Sequence, residues 1–92
     1  MRPQPTAYPD HLLSVKQTRY FAFVRTRPDH VVILDAWIMR AVLAPIRETV
    51  QTDGRIRRWC RVPEHGDRYF RVVLLADGET IHNAFFDRSF VP

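Results

Sequence analysis

The chain has 92 residues, 46% of them hydrophobic and 26% charged, which is enough for one domain with a single core and little left over for a second site. A net charge of +4 and a sequence pI of about 10.0 suit an acidic partner. No apolar run is long enough to span a bilayer, the opening MRPQPTAYPD lacks the apolar stretch of a signal peptide, and the single cysteine has no internal partner, so the sequence predicts a cytoplasmic protein with no membrane association.

Thirteen of the 14 basic residues are arginine. A GC-rich genome produces such a bias. So does phosphate binding, because the guanidinium fork grips phosphate in bidentate fashion and stacks on bases.

Residues 1–9 hold three of the seven prolines and read as a flexible tail ahead of one domain over 10–92. Asp10 is placed to cap a helix over 11–25, with Leu13, Gln17, Tyr20 and Val24 along one stripe. The end of that segment, Tyr20 to Val24, is equally strand-like in composition. Pro28 restricts its neighbour and ends the element. Asp35 reads as the N-cap of a second helix over 35–44, whose stripe is Trp37, Ile38, Ala41 and Val42 and whose stop is Pro45.

From Ile46 onward the pattern changes to four short β-rich runs, 46–51, 55–62, 68–75 and 80–87. Asp53-Gly54, Gly66 and Asp77-Gly78 mark the turns between them. Connections this short permit only antiparallel neighbours. The fold class is therefore α+β, two N-terminal helices packed on one face of a four-stranded antiparallel meander. A three-residue loop at 52–54 with a bulge sets Val50 opposite Ile56 and Glu48 opposite Arg58. Cys60, in the middle of a strand, reads as a small buried hydrophobe.

Strand alternation divides 55–62 into Ile56, Arg58, Cys60 and Val62 on one face, and Arg55, Arg57, Trp59 and Arg61 on the other. Arginines repeating at about 7 Å per two-residue step match the phosphate spacing of a single nucleic-acid strand, and Trp59 offers a plane for a base. The plainer alternative is a solvated face whose arginines pair with Glu48, Glu64 and Asp67. Arg71 interrupts an apolar strand and must either be paired, with Asp87 or Glu48, or line a cleft. In the last strand Ile81, Asn83 and Phe85 alternate with His82, Ala84 and Phe86.

His82 carries the one kind of side chain that exchanges a proton near neutral pH. RNA cleavage by 2′-OH attack needs a base, an acid and cations around the phosphorus. Arg71, His82, Arg58 and Tyr69 supply these groups if the register brings them together; a strand histidine held by structural hydrogen bonds is the other reading. No glycine-rich phosphate loop, metal-ligand spacing or nucleophile elbow occurs, so the sequence predicts no cofactor and no metal.

The string GRIRRW at 54–59, followed by RYFRVVLLADGETIHNAFFDR at 68–88, resembles a family of small uncharacterised bacterial proteins with a GRIRRW…LRVV…DGETVHNAFFDR pattern. With RPDH and AWI ahead of it, the resemblance covers roughly residues 20–90. More distantly, two helices followed by an antiparallel sheet resembles the RelE/ParE/BrnT superfamily of toxin–antitoxin toxins. That resemblance implies a RelE-like fold and a co-encoded antitoxin that wraps and silences the protein. Several such toxins are ribonucleases that cut mRNA, with basic residues and an aromatic or imidazole group on the sheet, and others poison gyrase. The implied function here is a metal-independent ribonuclease of this kind, with RNA and a cognate antitoxin as partners. The residues leave a second reading open: a non-enzymatic binding module whose arginine face holds nucleic acid or an acidic protein segment, and which has no need of His82.

Overall fold

Three glycine turns lay the second half of the chain out as a sheet. The computed structural model describes residues 17–27 and 32–92. Strands β1 (Arg47–Val50), β2 (Ile56–Val62), β3 (Arg68–Leu74) and β4 (Ile81–Phe86) pair antiparallel in that order, as the sequence predicts, each within one residue of its expected ends. At the first turn the Gln51 N–H donates to the Arg55 carbonyl at 2.7 Å, which closes the predicted three-residue loop. Gly54 takes φ +92 there, a conformation that a side chain would strain. Val50 then falls opposite Ile56 and Glu48 opposite Arg58.

The ladder is regular until its last step. Phe70 pairs with Phe86 and Val73 with Asn83, but Leu74 pairs with Ile81, so His82 is an extra residue. This bulge corrects the expected alternation of the last strand. Ile81, Ala84 and Phe86 share the core side, while Asn83 and Phe85 face outward opposite Val73 and Arg71.

Two helices, α1 (Arg19–Val24) and α2 (Asp35–Leu43), precede the sheet in the chain. The expected helix over 11–25 is much shorter where it is described. Thr18 is extended, its N–H donates to the Ile81 carbonyl at 2.9 Å, and its hydroxyl accepts from the Phe21 N–H. Gln17 and Thr18 thus run along β4 before the helix starts, and the Thr18 side chain caps it. The 1–9 tail and the stretch from Asp10 to residue 16 lie outside the described residues. Asp35 is the first helical residue of α2 and not its cap; it pairs with Arg25 at 2.5 Å and so ties the two helices together. The helix ends at Ala44, ahead of Pro45, as the sequence predicts.

The two helices cover one face of the sheet, α1 against β4 and α2 against β2 and β3. Phe21, Trp37, Ile38 and Ala41 meet Cys60, Val62, Phe70, Val72, Leu74 and Ile81 in one core, giving an α+β fold. Each large side chain buried there contributes about 1.5–3 kcal/mol of transfer free energy.

Helix α1 has six residues, too few to be stable by itself. Its docking rests on Phe21, which is fully buried. Phe21→Ala should cost about 3–5 kcal/mol in urea denaturation, and a loss below about 1 kcal/mol would show that α1 does not hold this core together.

Candidate nucleic-acid interface

With the core side assigned, the remaining parity of each strand faces outward. Two rows cross the sheet there: Arg47, Trp59, Arg71 and Phe85, then Thr49, Arg57, Val73 and Asn83. A groove of about 550 Å³ follows the second row. Arg57 lies in this row beside Val73, Arg71 stands in the adjacent row, Arg55 and Gln51 enter from the β1–β2 turn, and Tyr20 and His82 lie at the β4 rim. A neighbouring hollow of about 330 Å³ shares Arg57 and Arg71 and extends toward Arg47 and Phe90.

Arg71 is held rather than free to swing. Its guanidinium lies over the Phe85 ring at 4.5 Å and near the Trp59 ring at 5.9 Å, both favourable cation–π placements. Its Nη1 lies 3.7 Å from Asp87, and its side chain is 25% exposed. The buried Nε has no acceptor among the described residues. Asp87, only 8% exposed, accepts from the Trp59 indole N–H at 2.9 Å and from the Ser89 hydroxyl at 2.7 Å. Burial pushes its carboxyl up, but the hydrogen bonds from Trp59 and Ser89, with the Arg71 charge, outweigh this and hold it below the ordinary value. It therefore stays ionised at neutral pH.

His82 stacks on Tyr20 with ring centroids 5.3 Å apart. Burial lowers its pKa from the ordinary 6.5, the Arg55 charge lowers it further, and Asp53 opposes the shift. The imidazole is therefore neutral at pH 7. Its Nδ1 is buried with no hydrogen-bond partner among the described residues.

The structure brings some of the sequence-predicted residues together and separates others. Arg71 and His82 line the same groove, with Arg55 and Arg57. Arg58 does not join them. It sits on the core side, opposite Val72, where its Nε donates to Glu48 at 2.6 Å and its Nη1 to the Val42 carbonyl. Tyr69 faces a separate hollow of about 380 Å³ at the far end of the sheet, in contact with Phe90. Trp59 is buried, its ring stacked under Phe90 at 4.9 Å, so the plane expected to receive a base is already covered. Arg61 is engaged by Asp67 through two hydrogen bonds, at 2.6 and 2.9 Å.

Sequence reasoning missed Tyr20, Gln51 and Asn83 as groove residues. Asn83 follows His82 directly, and its register opposite Val73 is what turns it toward the groove. Cys60 is buried, donates to the Trp37 carbonyl, and has its thiol pushed up to about 11 by that burial. Among the described residues no three His, Cys, Asp or Glu side chains stand close enough to hold a metal ion, and no helix is long and apolar enough to cross a membrane. No protein-family model matches the chain, and no curated protein or solved structure does either.

Asp87 provides a test of this architecture. Because its folded pKa is depressed, its contribution is fully present above the ordinary value of 3.8 and is lost as pH falls through the lower folded value. Asp87→Asn should lower stability at pH 7 by about 1–3 kcal/mol, since the Trp59 and Arg71 donors lose a charged acceptor. It should also flatten the decline below pH 3.8. Thermal melts from about pH 2 to about pH 7 read both effects; an unchanged acid decline would remove Asp87 from this role.

Proposed function

We propose that this protein is a toxin-like ribonuclease with a RelE-like fold, which holds single-stranded RNA in the outer-face groove, cuts it without a metal ion, and is silenced by a cognate antitoxin in the cytoplasm. The observation that carries the reading is the meeting of Arg55, Arg57 and Arg71 with a neutral histidine in one groove, from residues far apart in sequence. A phosphodiester held by Arg57 and Arg71 has its developing negative charge met by fixed cations. His82 takes the proton of the 2′-hydroxyl, and the 2′ oxygen bonds to phosphorus. The bond to the 5′ oxygen breaks, water returns a proton to that oxygen, and the products are a 2′,3′-cyclic phosphate and a 5′-hydroxyl.

One observation favours the second reading, a non-enzymatic nucleic-acid-binding module. An imidazole that accepts a proton at Nε2 carries its own proton on Nδ1, and catalytic histidines ordinarily place that N–H on an orienting acceptor. The buried Nδ1 of His82 has none among the described residues. Under this reading the arginines matter and His82 does not.

Induced expression should arrest growth, and both Arg71→Ala and His82→Ala should relieve the arrest. With purified protein, His82→Ala should slow RNA cleavage by about 10²–10⁴-fold, and the unaltered protein should show an acid limb of its rate profile below pH 6.5, where the His82 imidazole becomes protonated. One phosphate neutralised between Arg57 and Arg71 predicts a log–log salt slope of binding of about −0.7. Unhindered growth with intact RNA would sink the nuclease reading. Salt-dependent binding with the RNA left uncut, unchanged by His82→Ala, would establish the binding module instead.

A further inference from the structure

The hollow of about 330 Å³ beside the groove shares Arg57 and Arg71 with it and has Arg47 at its other end. Arg47 occupies the same row of the sheet as Arg71, with Trp59 between them. Two strand spacings separate the two arginines, about 10 Å, and Arg57 faces the gap from the next row. Phosphates of a strand drawn out to about twice its stacked rise of ~3.4 Å follow one another at about 7 Å. Two of them fit among these three arginines, one on each side of Arg57.

Arg47 is fixed without being neutralised. Its Nη1 donates to the Val91 carbonyl at 3.1 Å, and its guanidinium lies over the Phe90 ring at 5.0 Å. Glu48, Glu64 and Asp67 hold Arg58, Arg40 and Arg61, but among the described residues no carboxylate pairs with Arg47 or Arg57. Asp87 is the acidic residue of this hollow. It is only 8% exposed, accepts from Trp59 and Ser89, and has Arg71 at 3.7 Å, so its charge is met beneath the surface. Resting on the RNA-binding reading above, we propose that this hollow is a second phosphate subsite, in which Arg47 and Arg57 hold the phosphate next to the one between Arg57 and Arg71. The RNA then crosses the sheet from β3 toward β1, and the protein grips two consecutive phosphates.

Charge can be removed from the ligand without changing its length. A 2′-O-methyl uridine trinucleotide has two phosphodiesters and no nucleophilic hydroxyl, so the full-length protein binds it without cutting. Replacing either phosphodiester by a neutral methylphosphonate gives two ligands of one charge each. Anisotropy titrations of the labelled trinucleotides over a salt series should give a log–log slope of about −1.4 for the first and about −0.7 for the other two. A fourfold rise in salt should then weaken the two-charge ligand about sevenfold and the one-charge ligands about 2.6-fold. Arg47→Gln should bring the two-charge ligand to the lower slope, and Arg47→Lys, which keeps the charge, should keep the higher one. A slope of about −0.7 for the two-charge ligand on the unaltered protein would overturn the second subsite and leave the RNA-binding reading standing. A slope that stays at about −1.4 in Arg47→Gln would overturn the assignment of Arg47 to it. No binding of any trinucleotide at low salt would overturn both the subsite and the RNA-binding reading.

Discussion

The outer face depends on a single extra residue in the last strand. Continuing the register of Phe70 with Phe86 and Val73 with Asn83 would set His82 opposite Leu74, which is fully buried. That arrangement would place an imidazole in an apolar core, where a polar group without a partner costs on the order of a few kcal/mol. The bulge lets Ile81 take the position beside Leu74 instead. The core stays apolar, and His82 is displaced to the rim of the groove against Tyr20. Packing on one face thus determines the chemistry available on the other.

Electrostatics then separates engaged arginines from available ones. Glu48 holds Arg58, Glu64 holds Arg40, Asp67 holds Arg61 and Asp35 holds Arg25. Hydrogen bonding to Arg40 lowers Glu64 to about 2, so Glu64 stays ionised at neutral pH. Exposed pairs of this type contribute only about 0–1 kcal/mol each, and the register does not depend on them. They do, however, occupy the carboxylates near the sheet. Arg57 is left with no carboxylate partner among the described residues, and Arg71 keeps only the long contact to Asp87.

The parts of this arrangement readable from sequence are those set by local chemistry. Asp-Gly turns and alternating β-branched residues give the four strands and the first hairpin register, and Pro45 gives the end of the second helix. Thr18 shows where local signals compete: its side chain both caps a helix and favours the extended conformation that pairs with Ile81, and no periodicity rule weighs the two. Alternation places Arg57 and Trp59 on the outer face, but not the return of the chain beyond β4, which lays Phe90 on the Trp59 ring. The bulge at His82 is unreadable for a related reason. It follows from what Leu74 requires of its neighbour across the sheet, a contact that exists only after the hairpin closes.

His82 is a neutral residue of the groove that Arg55, Arg57 and Arg71 also line, with space beside it for an anion. The NMR titration of its ring protons, with and without a short single-stranded RNA, tests this most directly. A pKa below 6.5 in the free protein, rising when the RNA brings a phosphate beside the ring, is the predicted result. A pKa at or above 6.5 that does not respond to RNA would contradict both the burial of His82 and the groove as a phosphate site.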